Sequence, residues 1–77
     1  MKHVKIYGAG CAKCKQTDAA VRRVIAELQV EAQVEKVEEM QDIARAGVLR
    51  TPALSVDGEM KVSGRVPREE ELKAWLA

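Results

Sequence analysis

The segment Val4-Lys5-Ile6-Tyr7 runs into Gly8-Ala9-Gly10 and then at once into a helical pattern, so the chain must turn from strand to helix within a few residues. His3 to Tyr7 alternates apolar Val4 and Ile6 with polar neighbours, the period of a strand. Gly8 and Gly10 break that period and permit the unusual backbone angles of a tight turn. From Ala12 to about Leu28, Cys14, Val21, Val24, Ile25 and Leu28 recur at helical spacing, while Lys15, Asp18, Arg22, Arg23 and Glu27 take the other faces.

A second strand is expected over Ala32 to Val37, where Val34 and Val37 alternate with Gln33, Glu35 and Lys36. A shorter helix should follow. Met40, Ile43, Ala44 and Gly47 form its apolar side, Glu38 and Glu39 suit its positive N-terminal end, and Gly47 is placed to cap it in the left-handed conformation. Leu54 to Val56 and Met60 to Val62 flank Asp57-Gly58, a strong signal for an antiparallel hairpin. Pro67 with Glu69, Glu70 and Glu71 reads as the start of a last helix whose apolar face is Leu72, Trp75 and Leu76. No Ser, Thr, Asp or Asn immediately precedes it as a cap. The order strand-helix-strand-helix-strand-strand-helix, without repeat, low-complexity tract or linker, predicts one domain over residues 1–77. Its compact solution is an α/β fold with a four-stranded mixed sheet and three helices on its faces.

Size and charge narrow the function classes. A chain of 77 residues buries only roughly 60% of its unfolded surface, which leaves no room for a large multi-substrate cleft. A formal charge of +1 with interspersed signs gives no footprint for nucleic acid or an anionic membrane. One Tyr and one Trp offer little for base stacking. Residues Met1 to Lys5 enter an alternating run rather than the apolar stretch of a signal peptide or membrane span, so a cytoplasmic protein is expected.

The chemistry rests on Cys11 and Cys14. Thiols three positions apart lie one helical turn from each other when the first sits at a helix N-terminus, so they can close a disulfide or hold a soft metal. Closing so short a loop removes little unfolded-chain entropy, which argues against a structural staple. A CxxC pair in the cytosol is more often catalytic or metal-binding.

The CxxC turn after the first strand, Thr51-Pro52 ahead of the hairpin and a closing helix together resemble the thioredoxin and glutaredoxin superfamily over essentially the whole chain. More narrowly, Ile6 to Cys14, Thr51-Pro52-Ala53-Leu54, Val56-Asp57-Gly58-Glu59 and Gly64-Arg65-Val66-Pro67 look like the minimal prokaryotic thioredoxin-like proteins called redox-active disulfide proteins. The resemblance implies a thiol-disulfide oxidoreductase without a cofactor. Cys11 is then the nucleophile and Cys14 the resolving cysteine. It implies a cis bond between Thr51 and Pro52, with the Thr51 backbone pairing to an extended substrate and Gly10, Ala12 and Lys13 bordering it. The partners implied are disulfide-containing proteins and a flavoprotein electron donor like thioredoxin reductase. The sequence departs from thioredoxin's Trp-Cys-Gly-Pro-Cys at Gly10 and Ala12-Lys13. It has Ser63-Gly64-Arg65-Val66-Pro67 where glutaredoxin carries its glutathione-holding Gly-Gly-x-Asp.

Independently of family, a cysteine at a helix N-terminus has its thiolate stabilised by unpaired N–H groups, and Lys13 adds positive charge nearby if its side chain folds back. The rival reading is a Cu(I) or Zn site, since the same turn resembles the Gly-Met-x-Cys-x-x-Cys loop of copper-carrying domains. Those domains end in a strand, whereas this chain ends in a helical pattern, and the rival gives Thr51-Pro52 no role. Zinc normally needs four ligands, and within the chain only His3 is available to join the cysteines. His3 otherwise reads as solvated, Tyr7 as packed beside the turn or touching substrate, Trp75 as core, and Met40 and Met60 as packing residues.

Overall fold

The computed structural model describes residues 1–77. Its elements are β1 (Lys2–Tyr7), α1 (Ala12–Leu28), β2 (Ala32–Val37), α2 (Met40–Arg45), β3 (Ala53–Val56), β4 (Glu59–Ser63) and α3 (Glu69–Leu76). The strands form one mixed sheet in the order β2-β1-β3-β4. β2 runs parallel to β1, whereas β3 is antiparallel to both β1 and β4.

Alternation along β1 and β3 sorts side chains to two faces. Val4 and Ile6 of β1 and Leu54 and Val56 of β3 meet Val21 and Val24 of α1 and Leu72 and Leu76 of α3 in the larger core. Tyr7 and Ala53 point the other way and pack with Ile43 of α2 and Val48. α1 and α3 therefore cover one face and α2 the other. Val4, Val21, Val24, Leu54, Leu72 and Leu76 are completely buried, and each such side chain contributes about 1.5–3 kcal/mol of transfer free energy.

Local chemistry sets the turns. Asp57 and Gly58 both have positive φ, 51° and 84°, as a two-residue hairpin turn of right-handed strands demands. Asp57 also ties the turn to β1: its Oδ1 accepts from the His3 N–H at 2.8 Å and its own N–H donates to the His3 carbonyl at 2.8 Å. Beyond the turn Ser55 pairs with Met60 but Leu54 pairs with Val62, so Lys61 is an extra residue, a bulge in the β4 edge. Gly47, at φ +78°, follows α2 as its left-handed cap. The N–H groups of Gly47 and Val48 return to the carbonyls of Ala44 and Ile43 at 3.0 and 3.2 Å, closing a Schellman motif. α1 ends without a glycine, on Gln29 at φ 54°.

Two expectations are corrected. Met40 and Met60 are 70% and 41% exposed rather than packed; the cluster under α2 that Met40 was expected to share is made by Ile43 and Val48 with Tyr7 and Ala53. The last helix opens at Glu69 with Arg68 at its cap, not at Pro67, because Glu71 Oε1 reaches back to accept from the Arg68 N–H at 2.9 Å. That bond satisfies a donor at the helix start without a capping hydroxyl or carboxylate at the cap position itself.

Candidate functional site: a disulfide at a helix N-terminus

β1 and β2 end, and β3 begins, at one edge of the sheet, and the cysteines stand there. Cys11 takes the extended conformation of an N-cap, with φ −71° and ψ 165°, ahead of α1. Gly10 at φ +78° makes the preceding bend, and a β-carbon there would meet nothing within 4 Å. Cys11 is joined to Cys14 by a disulfide with Cα atoms 5.0 Å apart. Its Sγ accepts from the Cys14 N–H at 3.1 Å, and its carbonyl accepts from the Lys15 N–H at 3.0 Å. No acidic residue lies in the first turn of α1, so nothing there opposes the positive end of the helix dipole.

The two sulfurs differ in access. Cys11 is exposed together with Gly10, Ala12 and Lys13, whereas Cys14 is only 6% exposed. The buried position is created by Gly8, whose role differs from that expected: it does not have positive φ. A β-carbon at Gly8 would collide with Cys14 Sγ, stand 3.1 Å from Cys14 Cβ and lie 3.8 Å from Thr51 Cβ. Gly8 is therefore the space into which the second cysteine packs. A glycine three residues before the first cysteine was the available signal.

Thr51 closes the other side of Gly8. It is exposed, its peptide bond to Pro52 is cis, and Pro52 is buried. The Pro52 carbonyl accepts from the Gly64 N–H at 2.9 Å, joining this loop to the end of β4. Within α1, Thr17 is fully buried and donates to the Lys13 carbonyl at 2.9 Å. A crevice of about 20 Å³ beside Cys14 is lined by Ile6, Gly8, Lys15, Lys36 and Glu38; no sequence pattern marked Lys36 and Glu38 as its neighbours.

The charges behind the loop are locked. Glu71 accepts two hydrogen bonds from the Arg65 guanidinium, at 2.7 and 2.8 Å, besides that from the Arg68 backbone. These bonds, that of Arg65 foremost, lower the Glu71 carboxyl to about 2, and Glu71 in turn raises Arg65.

The geometry favours thiol-disulfide chemistry over metal binding. Each sulfur is already bonded to the other, and no cluster of three or more His, Cys, Asp or Glu side chains includes them. His3 lies at the opposite end of β1, with its ring 3.2 Å from Glu35; it is four residue steps from Tyr7, about 13 Å of extended chain. The C-terminal element is the helix α3 rather than the strand of a copper-carrying domain.

Comparison with known proteins agrees. A family model described as a thioredoxin domain matches residues 2–77. A thioredoxin of Methanothermobacter thermautotrophicus is 43% identical over 77 residues, covering the whole of both chains. A thioredoxin of Methanocaldococcus jannaschii is 36% identical over 73 residues, covering 95% of this chain and 84% of the relative. With the helix-capping disulfide, the Thr51-Pro52 loop and a family match over nearly every residue, the chain belongs to the thioredoxin domain family.

Proposed function

We propose that the protein reduces disulfides in polypeptide substrates, with Cys11 as the attacking thiolate and Cys14 as the resolving thiol. The observation that carries this assignment is the difference in access: Cys11 is exposed at the helix N-terminus, while Cys14 is packed against Gly8. In the dithiol form the Cys11 thiolate attacks one substrate sulfur and expels the other as a thiolate, which takes a proton. The Cys14 thiolate then attacks Cys11 in the mixed disulfide and releases the second substrate thiol. Two electrons and two protons pass to the substrate, and the protein is left with the Cys11-Cys14 disulfide.

Exposed Thr51, beside Gly8, offers its backbone to an extended substrate in the manner of strand addition. Gly10, Ala12 and Lys13 border the same surface, and Lys13 adds positive charge near the attacking sulfur. A flavoprotein like thioredoxin reductase reopens the disulfide, in the cytoplasm, where thiols are kept reduced. No helix is long and apolar enough to cross a membrane.

The test is a redox titration of metal-stripped protein in defined thiol and disulfide buffers, quenched by alkylation and read by intact mass. Reversible loss of both alkylation sites together, with a midpoint between about −270 and −120 mV, is expected. A pair that forms only intermolecular disulfides overturns the reading.

A further inference from the structure

The cations of this protein are unevenly neutralised. Arg65 and Arg68 are drawn to Glu71, Lys36 to Asp18, and Arg45 to Asp42. Arg50, immediately before Thr51, belongs to no ion pair, nor do Lys13 and Lys15 beside the cysteines, and Arg50 is the one arginine left without a carboxylate. Its position is nevertheless defined. A β-carbon at Gly64 would stand 3.2 Å from Arg50 Cδ and 3.3 Å from its Cβ, so the aliphatic stem lies on the bare backbone of Gly64. Gly64 is in turn held to Pro52 by a hydrogen bond of 2.9 Å. The stem is thus anchored on the β4 side of the Thr51-Pro52 loop and its charged end is left exposed and uncompensated. The β2 side carries Glu38, Lys15 and the Asp18-Lys36 pair, so the charge there is mixed.

We propose that Arg50, laid over Gly64 beside Thr51, is a specificity-determining residue that selects substrates carrying a carboxylate side chain next to the disulfide under attack. The inference rests on the reading of the protein as a reductant of polypeptide disulfides. A planar guanidinium with no internal carboxylate keeps its donors for one supplied by the substrate. Because its stem is already packed, less side-chain entropy is lost when that contact forms.

The experiment uses the full chain, reduced beforehand, and three disulfide-linked peptides identical except for Glu, Gln or Lys on either side of the half-cystine. Rates of peptide reduction are measured at low salt, and the Glu-to-Gln and Glu-to-Lys ratios are taken within each protein variant. An exposed ion pair is worth about a two- to fivefold preference. The wild type is expected to favour the Glu peptide by that factor over Gln. Arg50→Gln should bring the Glu-to-Gln ratio close to one, and Arg50→Glu should invert the Glu-to-Lys ratio. A wild-type ratio of one, or a preference that survives both substitutions because Lys13 and Lys15 supply it, overturns the role of Arg50 and leaves the disulfide chemistry standing. Failure of the wild type to reduce any of the three peptides overturns the chemistry and this inference with it.

Discussion

The backbone N–H of Cys14 points at the sulfur of Cys11, 3.1 Å away. The residue that closes the disulfide therefore also supplies a donor to the other sulfur. Once the bond opens, that donor and the positive end of a 17-residue helix with no acid in its first turn favour the anion on Cys11. Cys14, packed against Gly8, is shielded from approaching molecules.

Cys14→Ser should consequently accumulate a mixed disulfide through Cys11 when mixed with a disulfide peptide, seen as an adduct in the intact mass. Cys11→Ser should give no comparable adduct. Trapping through Cys14 instead would reverse the two roles.

Gly8→Ala places a methyl group against Cys14 Sγ. Overpacking of this kind costs about 1–3 kcal/mol. Denaturant unfolding of the oxidised protein should register that loss, and alkylation kinetics of the reduced variant should show Cys14 more accessible. Unchanged values for both would mean that the second cysteine does not need this space.

Glu71 should titrate near pH 2 by carbon-detected NMR, against an ordinary value of 4.5. Between those pH values the unfolded chain binds the proton and the folded one does not, so folding stability rises with pH across this window. The contribution is complete above the unfolded value and is lost as pH falls from about 4.5 towards about 2. Comparison with Glu71→Gln, in which that slope is absent, isolates the effect.

Asp57→Ala puts alanine at φ 51° and deletes the acceptor of the His3 N–H. A loss of about 1–2 kcal/mol in urea unfolding is expected, with little change in the rate of Cys11 alkylation, because the hairpin turn lies at the end of the sheet away from the disulfide.

The element order was legible because each segment carried its own period or punctuation: Val4 and Ile6 at spacing two, Val21, Val24 and Leu28 at helical spacing, Asp57-Gly58 between two apolar pairs. Cys11 and Cys14 were legible for the same reason, as a local spacing. What escaped was whatever depends on residues brought together from distant parts of the chain. The clash that explains Gly8 is with Cys14, and the bed beneath Arg50 is Gly64. The glycine three residues before Cys11 was a faint mark of the first, and the second leaves none in a linear pattern. Met40 misled because its helical spacing from Ile43 implied a shared buried side, whereas α2 is only six residues long and its first residue stays in solvent. The start of α3 was misplaced because its cap is made by Glu71, three positions inside the helix, rather than by the residue before it.

The bulge at Lys61 leaves the outer strand β4 out of step with any regular ladder, and on the opposite rim β2 shows Gln33, Glu35 and Lys36 to solvent. A protein that handles unfolded or extended polypeptides is exposed to the hazard of joining them edge to edge. Both rims of this sheet are poor templates for such recruitment. On the proposed reading of Thr51 as the substrate's docking point, a sheet whose rims refuse further strands would leave that loop as the one place for a client chain to lie before any sulfur is exchanged.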